Sequence, residues 1–273
     1  MNTLPKALTI AGSDPSGGAG VQADLKTFSA LGVYGTTAIA ALVDENTLGV
    51  YDIHPVPVRF VQGQIRSVLS DVGTDAIKIG MLHDSPLIEG VVSVLKEYPD
   101  IRNIVVDPVM VATSGDPLLE KDAVETLRSV LIPCARIITP NIPEASLLLG
   151  ESIDSQNQLA EAAVRLSRMY GSNQVSVLLK AGHLDDERLI DIFYNAESGN
   201  IIRLESERVE TENTHGTGCT LSSAVAAGLA KGMNLDHAVI SAKEYLTSAL
   251  TSGATLSIGK GHGPVHHFFS LWS

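Results

Sequence analysis

Cysteine is scarce in this 273-residue chain: Cys134 and Cys219 are the only two, too few for a disulfide framework. Basic residues are outnumbered, 19 Lys and Arg against 31 Asp and Glu, and a formal net charge of -12 speaks against a nucleic-acid backbone or an anionic membrane surface as main partner. No run of about 18 predominantly apolar residues occurs, so no membrane-spanning helix is expected. Lys6 followed by Ala7–Ala11 opens like a signal peptide, but that run stops at Gly12-Ser13-Asp14, too soon for a hydrophobic region of that kind. Linkers rich in Ser, Gly or Pro and repeats of fixed period are also missing, which leaves one domain over residues 1–273 as the expectation. These absences describe a cytoplasmic protein whose ligands are small molecules.

What the chain does have is 44% hydrophobic residues, patterned as short buried strands alternating with helices. Ala7–Ala11 reads as a strand, Gln22–Leu31 as a helix stopped by Gly32, and Thr36–Val43 as the next strand, a unit of parallel sheet with a right-handed crossover. Helices over Val58–Val72, Leu87–Leu95, Val124–Leu131, Glu144–Leu149 and Leu159–Tyr170 follow, interleaved with strands at Ala76–Met81, Ile104–Val111, Arg136–Thr139 and Val175–Lys180. On the first of these helices Phe60, Val61, Ile65, Val68, Leu69 and Val72 share the apolar face. The pattern changes once, at a hairpin of Ile190–Tyr194 and Ile201–Arg208, before helices Cys219–Lys231 and Leu235–Thr251 and a Gly/His-rich tail. The expected fold is α/β, a three-layer αβα arrangement with a mainly parallel central sheet and a small edge hairpin.

Open parallel sheets bind ligands beyond the carboxyl ends of their strands, so the residues that follow each strand are the candidates. They are Gly12–Gly20 with Asp24 just after; Asp44-Glu45; Gly80-Met81; Asp107-Pro108; Asn141 with Glu144; and Lys180-Ala181-Gly182-His183. The Ile104–Val111 strand also runs into Thr113-Ser114-Gly115. Singly, Asp107-Pro108 reads as a turn, Asn141 as a helix cap and Lys180 as a solvated charge. Together at one sheet edge, carboxylates with a lysine suit a polyphosphate and its cation. Asn213-Thr214-His215-Gly216-Thr217-Gly218-Cys219 precedes a helix of small residues, and a helix N-terminus there forms an anion site. Cys219, in its first turn, is expected to have a lowered thiol pKa and to serve as a base. Gly18, Gly20 and Ala23 imitate a dinucleotide fingerprint with Asp44 and Glu45 about 20 residues on, but that pattern must follow its strand directly.

From Ala7–Lys26 through the anion loop to Gly261-His262-Gly263-Pro264-Val265-His266-His267-Phe268, the chain resembles the ribokinase-like superfamily. Within it the likeness is to the vitamin-kinase branch, most closely the hydroxymethylpyrimidine/phosphomethylpyrimidine kinases of thiamin biosynthesis. The resemblance implies ATP and Mg2+, a homodimer, and phosphorylation of 4-amino-5-hydroxymethyl-2-methylpyrimidine and then of its monophosphate. It implies an anion hole at Gly216, Thr217, Gly218 and Cys219, with Cys219 as base. It places the heteroaromatic alcohol against Ala19, Asp24, Val43 and Met81, and the nucleotide against Asp107, Asn141, Lys180 and Thr214, with Asn141 and Glu144 organising magnesium through water and phosphate. Glu45 departs from the family's usual glutamine and is expected to contact the ring in a pH-dependent way. Pyridoxal kinase and a non-catalytic vitamin-binding protein are the alternatives. The tail histidines are expected to pack or to close the pocket, since Gly263-Pro264 forbids a regular helix between His262 and His266.

Overall fold

The computed structural model describes residues 4–111, 118–120, 122–170, 174–182 and 188–272. Thr113-Ser114-Gly115 and His183, singled out above, lie outside the described residues. The elements run β1 (Lys6–Ala11), α1 (Gly20–Ala30), β2 (Tyr34–Ile39), β3 (Ala41–Asn46), β4 (Gly49–Pro55), α2 (Val58–Ser67), β5 (Ala76–Ile79), α3 (Ser85–Leu95) and β6 (Ile104–Val106) in the first half. The second half adds α4 (Ala123–Thr126), β7 (Ile137–Ile138), α5 (Ile142–Leu149), α6 (Leu159–Arg168), β8 (Ser176–Leu179), β9 (Arg188–Asn195), β10 (Asn200–Glu207), α7 (Thr217–Ala230) and α8 (Leu235–Gly253).

Eight strands form one sheet in the order β10-β9-β8-β7-β6-β5-β1-β2, parallel from β8 to β2 and antiparallel at the β9–β10 edge. Alternate side chains supply two cores. Leu8, Ile10, Ile77, Ile79, Val106 and Val177 pack on the side of α2, α3, α5 and α6. Ala7, Ala76, Val105, Ile137 and Leu178 pack beneath α1, α7 and α8. Because both faces are covered, the strands read as continuous apolar runs, and this is why the three-layer expectation holds. Backbone bonds from Gly80 to Ile10, Asp107 to Ile79 and Lys180 to Pro140 bring the strand ends level along one edge.

The structure corrects three expectations. Thr36–Val43 is not one strand: Ala40 N–H donates to Ala11, and the chain then leaves the sheet as β3 to pair with an unforeseen β4 in a separate antiparallel pair. Only one side of that hairpin is buried, so β4 lacks the apolar signal of the main sheet. Ile104–Val111 shortens to β6, because Pro108 has no N–H to donate and Val109 turns back onto the Asp107 carbonyl. The Val58–Val72 helix ends as a π-helical turn over Val68–Val72, and Phe60, expected on its apolar face, is 64% exposed.

Candidate active site

A cavity of about 440 Å³ opens at the carboxyl edge of the sheet. Gly216, Thr217, Gly218, Cys219 and Thr214 line it, as do Ala19, Val43, Glu45 and Met81, and Asp107, Asn141, Glu144 and Lys180. Asp24 does not.

The anion loop is shaped by its backbone. Asn213 is buried and its Nδ2 donates to the carbonyls of Gly253 and Leu256, tying the loop to the end of α8. Gly216 caps α7 with φ 77, and a Cβ there would run into the carbonyl oxygen of Gly18, 2.7 Å from its carbon. Only glycine allows both the left-handed torsion and this approach. No side chain caps α7; Thr217 N donates to the Thr214 carbonyl (3.3 Å), which leaves the N–H groups of Gly218 and Cys219, two residues that line the cavity, as the anion donors.

Asp24 lies beneath the floor. It is fully buried on α1, with Lys78 Nζ 2.9 Å from both carboxylate oxygens, and it accepts hydrogen bonds from Thr9 (2.5 Å) and Ser223 (2.6 Å). The expectation that it contacts substrate is therefore corrected: every oxygen is occupied by the protein. Lys78, unforeseen from the sequence, carries the charge toward the cavity, which it lines. Burial disfavours its cation, but the carboxylates of Asp24 and then Asp107 outweigh this and hold it firmly protonated.

Cys219 is a second correction. Burial pushes its thiol up, to about 11; Lys78 and the Gly20 backbone oppose this, Asp24 and Asp107 add to it, and the net shift is upward. The helix terminus does not yield a resting thiolate.

Asp107 and Lys180 face one another, Nζ to Oδ1 3.3 Å, and Thr139 and Ser222 donate to the same carboxylate. Asn141 and Glu144 form a complete capping box at the start of α5: Asn141 Oδ1 accepts from Glu144 N and Glu144 Oε2 from Asn141 N, each 2.8 Å. The cap reading is thus correct in geometry, yet both residues also line the cavity. Burial raises the Glu144 carboxyl to about 7, with Lys180 lowering it and Asp107 raising it.

At the opposite end Ala41, Val43 and Met81 make an apolar wall, and the strand alternation that points Val43 inward also points Glu45 inward. Beside Glu45 stand two residues whose roles the sequence alone does not show. Asp14 Oδ2 is 2.8 Å from His215 Nε2, a contact joining positions 201 residues apart. Burial raises the Glu45 carboxyl to about 7, with Asp14 adding and His215 opposing. The sequence signal available was weak: an Asp before Pro15 and a His before Gly216 are ordinary loop residues until the fold brings them together.

The tail histidines divide: His262 is exposed, His266 is half-buried against Trp272 with ring centroids 5.6 Å apart, and His267 packs. His267 is buried with Nε2 3.1 Å from Thr220 Oγ1, and burial, then Lys26 and His266, push its pKa down to about 4. Lys260 and Gly261 donate to Thr47 Oγ1, fastening the tail to the β3–β4 turn.

Known proteins are similar to this chain along most of its length. A family profile described as phosphomethylpyrimidine kinase matches residues 14–266. Over 268 residues the chain is 49% identical to the hydroxymethylpyrimidine/phosphomethylpyrimidine kinase of Escherichia coli (strain K12), covering 97% of this chain and 98% of that one. It is 47% identical over 266 residues to the enzyme of the same name from Rhizobium meliloti (strain 1021), covering 97% and 98%. Among solved structures, the pyridoxal kinase from Staphylococcus aureus in complex with AMP-PCP and pyridoxal superposes with a TM-score of 0.87 at 35% identity, covering 99% of this chain and 96% of that one. The chain belongs to the phosphomethylpyrimidine kinase family.

Proposed function

We propose that the protein transfers the γ-phosphoryl group of ATP to the primary hydroxyl of 4-amino-5-hydroxymethyl-2-methylpyrimidine, and then to the monophosphate so formed. The observation that carries this reading is the sharing of one cavity by an uncapped helix N-terminus, Lys180, and a ring-sized wall of Val43 and Met81 with Glu45 at its edge. Phosphoryl transfer asks the protein chiefly to position groups and to stabilise charge. The N–H groups of Gly218 and Cys219 receive the transferring oxygens, Thr214 and Thr217 flank them, and Lys180 balances the nucleotide phosphates. Cys219, a thiol at neutral pH, holds the acceptor hydroxyl at the loop; a loose transition state puts little charge on that oxygen, so no preformed thiolate is needed.

The residues present suit magnesium. Glu144 and Asp107 are buried oxygen donors at the phosphate end; burial, with Asp107 adding to it, raises the Glu144 carboxyl, and a hard cation favours the carboxylate against both. Asn141 and Glu144 would hold the ion through water and phosphate, and bound there it supplies neutralising charge for the phosphates. At the ring end, Glu45 titrates near neutrality, so with its proton it donates and accepts at once, as the edge of an aminopyrimidine requires. Leu42, Tyr51 and Phe60, large apolar side chains on β3, β4 and α2, are each exposed, which supports their being covered by a second copy in a homodimer. Among the described residues no helix is long and apolar enough to cross a membrane, in keeping with action on dissolved metabolites in the cytoplasm.

Pyridoxal phosphorylation is the second reading, favoured by the superposition on the pyridoxal-bound kinase. Side-by-side turnover with the pyrimidine and with pyridoxal, read as ADP release, tests both. Higher kcat/KM with the pyrimidine is expected. Preference for pyridoxal would move the assignment to the second reading, and no ADP release with any hydroxymethyl heterocycle would reduce the protein to a binding function.

A further inference from the structure

His215 is a buried ionisable side chain in the anion loop that the reaction scheme leaves without a task. Its ring is pressed between two segments. On one side Nε2 meets Asp14, and a Cβ on Gly18 would collide with the ring's Cδ2. On the other its backbone N–H donates to Gly263 (3.0 Å), in a bridge with Pro264. Asp14 in turn organises the loop between β1 and α1: Oδ1 accepts from Ser16 N (2.7 Å), Oδ2 from Gly18 N (2.9 Å) and Ala19 N (2.6 Å). A carboxylate with three such backbone donors stays an anion, so the His215 nitrogen facing it carries a proton. Oδ2, the oxygen that meets the imidazole, already holds two backbone N–H groups, so the pair is fixed from the loop side and shares its proton within a cluster of side chains.

The remaining member is Glu45. One ligand atom each from Asp14, Glu45 and His215 lie within 4.8 Å of one another. The charged groups acting on the imidazole are Asp14 from the β1–α1 loop and Glu45 from β3, and both favour its cation against burial. The residue after His215 is Gly216, whose backbone already touches Gly18. The anion loop therefore meets the β1–α1 loop at two adjacent points, the His215–Asp14 pair and the Gly216–Gly18 approach.

Building on the kinase reading, we propose that His215 is a positioning residue: pinned between Asp14 and Glu45, it locks the Gly216–Cys219 loop onto the β1–α1 loop and so sets where the phosphoryl group is received. A loop displaced by about 1 Å forfeits on the order of a hundredfold in rate.

The test uses the whole chain in three measurements. First, imidazole NMR of the wild type, assigned by loss of the signal in His215→Gln, should give a His215 pKa above the ordinary 6.5 that falls in Glu45→Gln; a value at or below 6.5 overturns the proposal. Second, AMP-PCP binding by calorimetry does not depend on which acceptor is correct. His215→Phe, which fills the space without a donor, should weaken it by about tenfold, and His215→Gln, which keeps a donor, should restore most of the loss; equal affinity in all three proteins overturns the proposal. Third, kcat should fall about a hundredfold in His215→Phe with little change in the acceptor KM, and the high-pH limb of the wild-type profile should vanish in His215→Gln. Should His215→Phe fail to fold, the His215→Gln profile alone decides, and a profile superimposing on the wild type overturns the proposal. Wild type that binds AMP-PCP as described, but phosphorylates no acceptor, refutes the proposed reaction and leaves the anchoring role of His215 intact.

Discussion

Replacing Gly216 by alanine separates the anion loop's position from the protein's stability. Two costs arise at this residue. The torsion, φ 77, is strained for any side chain, at about 1–2 kcal/mol. The second is steric: the new Cβ would stand 2.7 Å from the Gly18 carbonyl carbon, where ordinary contact begins at 3.4 Å, and closer still to the oxygen. Both neighbours are backbone, so the two loops must part by a large fraction of an ångström. Gly199, in the β9–β10 turn, offers a control, since its φ is 75 and nothing lies within 4 Å of a Cβ. Gly199→Ala should carry the torsional cost alone, lowering Tm by about 2–8 °C with turnover intact. Gly216→Ala should lower Tm further and reduce kcat by roughly a hundredfold, the scale of a displaced catalytic group. Both are read by thermal melts and by ADP release under saturating substrates. Turnover in Gly216→Ala within about threefold of the Gly199→Ala control would refute the placement of the transferring phosphoryl at this loop.

Asp24→Asn should destabilise the protein by about 3–5 kcal/mol in urea unfolding, because it strands the fully buried Lys78 ammonium, and adding Lys78→Met should recover much of that; a loss under about 1 kcal/mol contradicts the ion-pair account. Cys219→Ser, unable to form an anion at neutral pH but able to orient a hydroxyl, should keep turnover within about tenfold of wild type, whereas Cys219→Ala should lose about a hundredfold or more; equal losses in the two would reinstate a thiolate base. Glu144→Gln preserves the capping box while removing the charge, so the magnesium concentration giving half-maximal rate should rise, and an unchanged curve would make the pair purely structural. The same variant carries a pH signature. With a folded pKa raised from 4.5 to about 7, Glu144 contributes stability that is fully present below pH 4.5 and lost as pH rises through 7, so the wild-type Tm should decline over that window more steeply than the Glu144→Gln Tm.

The parallel sheet was legible in the sequence because runs such as Ala7–Ala11 and Ile104–Val106 are buried on both faces and read as uninterrupted apolar segments. The β3–β4 pair was not. Its residues alternate between a cavity wall and an exposed side, and Tyr51 and Leu42 leave no pattern distinct from a loop. Strand-end logic put Asp107, Asn141, Glu144 and Lys180 beside one cavity, since chain order alone fixes which residues follow a strand. It does not say whether a side chain one helical turn onward faces in or out, so Asp24 reads as a ligand contact though it lies beneath the floor, and Lys78, inside a strand, gives no signal although it lines the cavity. The thiol of Cys219 shows the same limit for electrostatics: proximity to a helix terminus is readable, but burial among Asp24 and Asp107 is not. Asp14 and His215 needed the tertiary fold outright, as only the sheet order brings β1 beside α7.

Phosphorus NMR of a single reaction follows both phosphoryl transfers at once. The full chain is mixed with ATP, magnesium and 4-amino-5-hydroxymethyl-2-methylpyrimidine and followed through complete conversion. The account predicts a phosphomonoester signal growing as the ATP γ-resonance declines, then a diphosphate ester growing at its expense, with two ADP formed for each pyrimidine consumed. Loss of the γ-resonance to inorganic phosphate alone, or a spectrum unchanged by the pyrimidine, would contradict it.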